Sequence, residues 1–281
     1  MMAMRIGVCS WSLQPAGPAD LAQKIRAVGC TAVQLALDPL GKGDWKVEQT
    51  IDASQEMGIE IRSGMMMMRG EDYTTLDSIR RTGGVRPDRH WRANLTAAEQ
   101  NARLAAQLGI TLVTFHAGFL PHEVDDPLRN KMLSRLRELV ERFAVHGVHV
   151  ALETGQESAE TLLAVLEDLD RKDVGVNFDP ANMILYGMGE PVNALASLAG
   201  HVRQIHIKDA VTADVPGTWG REVAVGSGDV DWPAFFATMR KCGITCDLMI
   251  EREAGTNRPT DIRRARELVE SLIDNDRSRT P

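Results

Sequence analysis

The sequence predicts a single-domain α/β protein, a (β/α)8 TIM barrel spanning residues 1–281, and three observations carry that reading. Short β-branched or apolar runs alternate eight times with longer amphipathic ones, at roughly 30 residues per unit. Gly29, Gly58, Gly109, Gly147 and Gly243 each stand where a helix ends and the next strand begins. The length of 281 residues fits one such barrel. A doubly wound open sheet is the competing architecture, but no Gly-rich fingerprint follows the first strand.

The elements follow in order along the chain. Strands are expected at Arg5–Cys9, Ala32–Leu37, Glu60–Met65 and Leu112–His116, then at His149–Glu153, Gly175–Phe178, Gln204–Ile207 and Asp247–Ile250. Helices are expected at Leu21–Val28, Val47–Met57, Ala97–Leu108 and Leu128–Val145. The remaining four are Ala159–Leu169, Val192–Leu198, Trp232–Lys241 and Asp261–Ile273. Thr96 with Glu99 reads as a capping box, and Asp261 as the cap of the final helix. Neither a linker nor a low-complexity segment divides the chain.

Composition narrows the function classes. Hydrophobic residues make up 43% of the chain, which suits a packed globular domain. The net charge of −7 argues against a nucleic-acid partner, since phosphate backbones favour a basic face. No run of about 18 apolar residues offers a membrane span, and the N-terminus lacks the apolar core of a signal peptide. Cys9, Cys30, Cys242 and Cys246 form no C-x2-C pair and read as four buried thiols in a reducing compartment. A cytoplasmic enzyme is the expectation.

Two connections are long, 67–95 and 210–230, and both follow strands, so both belong to the C-terminal face, where long loops shape pockets. The first carries Arg69, Arg80, Arg81, Arg86, Arg89 and Arg92 beside Trp91. It reads either as a lid with a cation for an anionic substrate group or as a solvated surface.

In a barrel, the residues at the C-terminal ends of the strands converge on one site. Strands five to eight end in ALETG, VNFDPAN, QIHIKD and MIERE, which supply Glu153, Asp179, His206 and Glu251. Three carboxylates and an imidazole in one dry pocket would raise each other's pKa values, and a divalent cation removes that conflict. Three oxygen ligands and one nitrogen suit Mn, Mg, Co or Zn. His116, ending strand four, either touches substrate or is a satisfied pocket histidine. His146, His149 and His201 flank turns at the opposite face, and His90 and His122 are assigned to loops. Lys208 points inward if His206 does, to bind a substrate oxygen, donate a proton, or pair with a carboxylate. Trp11 forms an apolar pocket wall or belongs to the core.

The same strand ends, with GSGDVDW at 226–232, resemble the xylose-isomerase-like superfamily and, within it, the sugar phosphate isomerase/epimerase branch. The likeness runs from the first strand to the last helix. It implies a metal held by Glu153, Asp179, His206 and Glu251. It also implies that Glu153 and Glu251 act as the acid/base pair on either side of an enediolate whose oxygens the metal stabilises. By the same resemblance Asn182, Glu157 and Arg221 take substrate-binding positions, with departures. Asn182 replaces a histidine of the 3-epimerases, Glu157 stands at a different spacing, and Arg221 is only the nearest counterpart of their arginine. A three-zinc apurinic endonuclease shares this fold, but Asn182 and the run Gly220, Arg221, Glu222 replace residues its site needs.

The implied activity is a divalent-metal-dependent isomerase or epimerase of a small keto-sugar or sugar derivative, in chains that are often dimers or tetramers. The alternatives are a metal-dependent lyase resembling inosose or dehydroshikimate dehydratases, with Lys208 as leaving-group acid, and a non-catalytic sugar-binding barrel.

Overall fold

The computed structural model describes residues 4–215 and 217–277. Eight parallel strands close a barrel: β1 (Ile6–Cys9), β2 (Ala32–Ala36), β3 (Glu60–Met65), β4 (Leu112–Phe115), β5 (His149–Glu153), β6 (Val174–Phe178), β7 (Val202–Ile207) and β10 (Asp247–Ile250). The ring closes where Ile6 pairs with Leu248 and Val8 with Ile250. Around it pack α1 (Pro18–Ala27), α3 (Val47–Glu56), α5 (Asp88–Gln107), α6 (Pro127–Ala144), α7 (Ala159–Leu169), α9 (Pro191–Leu198), α10 (Trp232–Lys241) and α11 (Arg258–Arg277). Three short helices, α2 (Asp38–Lys42), α4 (Leu76–Thr82) and α8 (Pro180–Tyr186), lie in connections that follow strands. All eight strands stand within two residues of their expected positions.

The apolar spacing that marks the helices faces the barrel. In α6, Met132, Leu136, Leu139, Val140 and Phe143 repeat at helical spacing and are all buried, so one stripe packs the helix against the barrel at β5. The five helix-closing glycines all take positive φ, between 62° and 79°.

Five expectations are corrected. The connection 67–95 is not a loop: it holds α4, with its own capping box between Thr75 and Ser78, and the first two turns of α5. Thr96 therefore lies inside α5, its hydroxyl donating to the carbonyl of Arg92, and it caps nothing. His90 is likewise helical. Asp261 sits in the first turn of α11 and accepts from Arg252 Nε at 3.0 Å instead of capping. Of the four free cysteines, Cys9 and Cys30 are buried, but Cys242, at the end of α10, is exposed.

The second long connection holds an antiparallel ribbon, β8 (Asp209–Val211) with β9 (Arg221–Val223). The buried Asp209 carboxylate anchors it. It accepts from the backbone N–H groups of Ala210, Gly226, Gly228 and Val230 and from the Trp232 indole, at 2.8–3.3 Å. A Cβ on Gly228 would stand 2.1 Å from Asp209 Oδ1, so the GSGDVDW segment needs glycine there for its chain to approach the carboxylate.

Two register shifts break the barrel's regular pairing, one between Val33 and Gln34 on β2 and one between Val176 and Asn177 on β6. Both irregularities fall at polar residues that point into the barrel just beneath the site.

Candidate active site

The ends of β5, β6, β7 and β10 bring Glu153, Asp179, His206 and Glu251 together, all buried, with one potential ligand atom from each inside a 4.8 Å span. Nδ1 of His206 lies 3.2 Å from Glu251 Oε2, 3.5 Å from Glu153 Oε1 and 3.6 Å from Asp179 Oδ2. Ligands around an ion with ~2.1 Å bonds lie about 3.0 Å apart at right angles and about 3.4 Å apart at tetrahedral angles, so these separations suit a single small divalent cation. Asp179 Oδ2 and His206 Nδ1 are buried without a hydrogen-bond partner, and Glu251 Oε2, which Lys208 Nζ approaches to 3.0 Å, faces the same point. Buried lone pairs aimed at one point are what a divalent ion satisfies, and the residues present fit one.

The remaining lone pairs and N–H groups of these side chains are held by neighbours. Nε2 of His206 lies 2.7 Å from Gln34 Oε1 and donates to it, which leaves Nδ1 facing the carboxylates as the nitrogen that would hold a metal. Asn182 Nδ2 donates to Glu153 Oε1 at 2.9 Å and Asn177 Nδ2 to Glu153 Oε2 at 3.2 Å. The indole of Trp11 donates to Glu251 Oε1 at 2.6 Å. Asp179 doubles as the cap of α8, its Oδ1 accepting from Asn182 N at 2.9 Å. Below them a chain of neutral groups continues from Asn177 through Gln204 to Ser63.

The electrostatics favour positive charge at the centre. Burial alone would depress His206, but the carboxylates of Glu153 and Glu251 outweigh it and hold the imidazole well above its ordinary range. Lys208 follows the same logic: burial opposes its charge, yet Glu251, Glu253 and Asp179 raise it further. Its Nζ lies 3.0 Å from Glu251 Oε2, 3.0 Å from Glu253 Oε2 and 3.8 Å from Asp179 Oδ2. Burial pushes Asp179 up to about 6 against the pull of Lys208. Burial also works against charge on Glu251, where Lys208 and His206 prevail and hold it well below the usual carboxylate range. At Glu153, His116 and His206 overcome burial, and the carboxyl is lowered.

A cavity of about 630 Å³ opens above these four residues. His116, Asn182, Lys208 and Trp11 all line it, and His116 Nε2 stands 3.5 Å from Glu153 Oε1. Two other positions fall elsewhere. Arg221 is exposed and absent from the lining, because β9 alternates and turns the next residue, Glu222, into the cavity. Glu157 is buried against a separate recess that it shares with Arg80, Arg86 and His122. Of the six arginines of the 67–95 connection none lines the main cavity, and that segment contributes Met67, Glu71 and Tyr73 instead. Gln34 and Asn177 had no assigned role in the sequence. Their one signal there is an amide side chain inside an otherwise apolar strand, as in AVQLA and VGVNF.

The Glu157 carboxyl has no hydrogen-bonding partner, and burial pushes it up to about 8. The folded protein therefore binds a proton there that the unfolded chain releases near pH 4.5. Its contribution to stability is complete below that pH and is lost as pH rises through about 8. Glu157→Gln removes this dependence. Urea melts at pH 5 and pH 9 should show the variant gaining a few kcal/mol over wild type at the higher pH. An equal difference at both values would mean that the carboxyl is ionised in the fold.

The comparisons with known proteins agree with this architecture. Residues 22–272 match the family described as Xylose isomerase-like TIM barrel. A xylose isomerase domain protein from Planctomyces limnophilus is 32% identical with a TM-score of 0.87, over 96% of this chain and 98% of that one. An L-ribulose 3-epimerase superposes with a TM-score of 0.75 at 17% identity, over 98% and 96%. The probable 3-DHS dehydratase AsbF of Bacillus anthracis does so with a TM-score of 0.74 at 18% identity, over 95% and 99%. A 74-residue stretch is 34% identical to the uncharacterized protein YihM of Escherichia coli K12, covering 26% of this chain and 22% of that protein. No helix among the described residues is long and apolar enough to cross a membrane.

Proposed function

This chain belongs to the Xylose isomerase-like TIM barrel family, and from that premise we propose that it is a divalent-metal-dependent isomerase or epimerase of a small keto-sugar or sugar derivative. One observation carries the reading: four buried potential ligand atoms, from Glu153, Asp179, His206 and Glu251, converge at the floor of an open cavity. A bound divalent ion supplies Lewis-acid stabilisation of the charge that develops on substrate oxygens when a proton leaves the neighbouring carbon.

The chain's own residues do the rest. Glu153 and Glu251 rise from strands separated by β6 and β7, so they reach the substrate from different sides. Both carboxyls are held in the ionised form, and each can accept a proton and return it. Asn177 and Asn182 orient Glu153, and Trp11 orients Glu251, so neither carboxylate has to reorganise as the proton moves. The Lys208 ammonium sits beside Glu251, where it can donate a hydrogen bond to a substrate oxygen. The same ammonium is the feature that favours a second reading, a lyase in which Lys208 protonates a departing oxygen.

The test is proton exchange. Protein loaded with Mn, Mg, Co or Zn and incubated with keto-sugars in deuterated water should place deuterium beside the carbonyl, as read by NMR, and EDTA treatment should stop it. Appearance of an enone absorbance instead would select the lyase. Failure to take up any of these ions, with no exchange, would sink both readings.

A further inference from the structure

The cavity is larger than a single sugar requires. It encloses about 630 Å³. Allowing each of the twelve non-hydrogen atoms of a hexose the roughly 30 Å³ that a water molecule occupies in the liquid gives only about 360 Å³.

Its lining divides by chemistry. The metal-binding floor is polar, and the wall beside it is built from Trp219, Tyr186, Leu185 and the Met65–Met67 run. Trp219 and Tyr186 pack ring to ring, with centroids 4.9 Å apart, and form a continuous aromatic surface. At the mouth Met67 is 56% exposed and Tyr73 is 40% exposed, so apolar surface stands open to water at the rim. A monosaccharide on the floor would leave that wall uncovered.

The charge of the lining is equally one-sided. Among the described residues no arginine lines the cavity, and the charge of its one lysine is balanced by Glu251, Glu253 and Asp179. TIM barrels that bind phosphate usually hold it in the loops after the seventh and eighth strands. Here those loops present Glu222 and Glu253. A phosphate in that position would face carboxylates with no cation to spare.

We infer that the site takes an uncharged glycoside of a keto-sugar, with the keto-sugar ring over the carboxylates and a second ring or apolar aglycone against Trp219 and Tyr186. This rests on the keto-sugar reading above, and it excludes phosphorylated sugars as substrates.

Calorimetric titration of metal-loaded protein with three inert probes tests it: phenyl β-D-glucopyranoside, methyl β-D-glucopyranoside and methyl β-D-glucopyranoside 6-phosphate. None of the three opens to a free carbonyl, so binding is read without turnover. The phenyl glycoside should bind at least about tenfold more tightly than the methyl glycoside, and the phosphorylated glycoside more weakly than either. In Trp219→Ala the phenyl preference should shrink to less than about threefold. Equal affinity for the two glycosides, tightest binding of the phosphate, or no binding of the phenyl glycoside at millimolar concentration would overturn the inference. Deuterium exchange on a free keto-sugar without any phenyl preference overturns this inference alone. A phenyl preference with no exchange on any keto-sugar or keto-glycoside overturns the isomerase reading and leaves the binding class standing.

Discussion

Glu153→Gln and Glu251→Gln should each lower deuterium exchange and turnover by about 10³–10⁴-fold, the upper range for loss of a positioned acid or base. Their effects on metal content should differ. Around Glu153 the donors are the amides of Asn177 and Asn182. An asparagine can turn over and offer its oxygen to the new NH2 group. Around Glu251 they are the Trp11 indole and the Lys208 ammonium, which only donate. An amide at 251 satisfies one of them and sets its own N–H groups against the other. Glu251→Gln should therefore lose most of its metal, and Glu153→Gln should keep more. Elemental analysis of the same samples used for NMR separates lost chemistry from lost ion. Full exchange in both variants would remove the acid/base assignment.

Asp179→Ala should abolish stoichiometric metal binding. The cost should exceed the roughly 10–100-fold that loss of a supporting partner outside the ligand set produces. The substitution also removes the cap of α8, worth about 1 kcal/mol. Asp179→Asn separates the two, because its side-chain oxygen can still accept from Asn182 N while the ligand charge is gone. Adding metal should raise the melting temperature of wild type, by preferential binding to the folded state, and leave that of both variants unmoved. A metal-dependent rise that survives in Asp179→Asn would place the ion elsewhere.

Much of this site could be read from the chain because barrel geometry does the assembly. Each strand has a hydrophobic or β-branched run and a definite end, and the ends of parallel strands share one face. Glu153, Asp179, His206 and Glu251 were thus brought together by topology alone. What resisted reading depends on parity and register. Whether Arg221 or Glu222 faces the cavity turns on the pairing of a three-residue ribbon, which no long hydrophobic pattern specifies. Gln34 and Asn177 reach His206 and Glu153 at breaks in strand pairing, and a periodicity of two carries no record of such breaks. The start of α5 was hidden for a related reason. Residues 88–95 are mostly polar, so no apolar stripe announced the helix, although Asn94 is buried and accepts from Arg69 N. Glu157 took its expected place from the family resemblance despite its different spacing, and the turn after Glu153 carries it into the neighbouring recess.

The Asp209 cradle bears on how a ligand is met. Asp209 follows Lys208 directly and fixes the backbone of residues 226–232 through three N–H groups and an indole. The conformational entropy of that segment is lost once, when the chain folds, and not again at each encounter with a ligand. The ribbon that Asp209 anchors, which carries Glu222 into the cavity, is in its final shape beforehand. Association there needs no slow search for a closed form, and residence time is governed by the contacts the ligand makes.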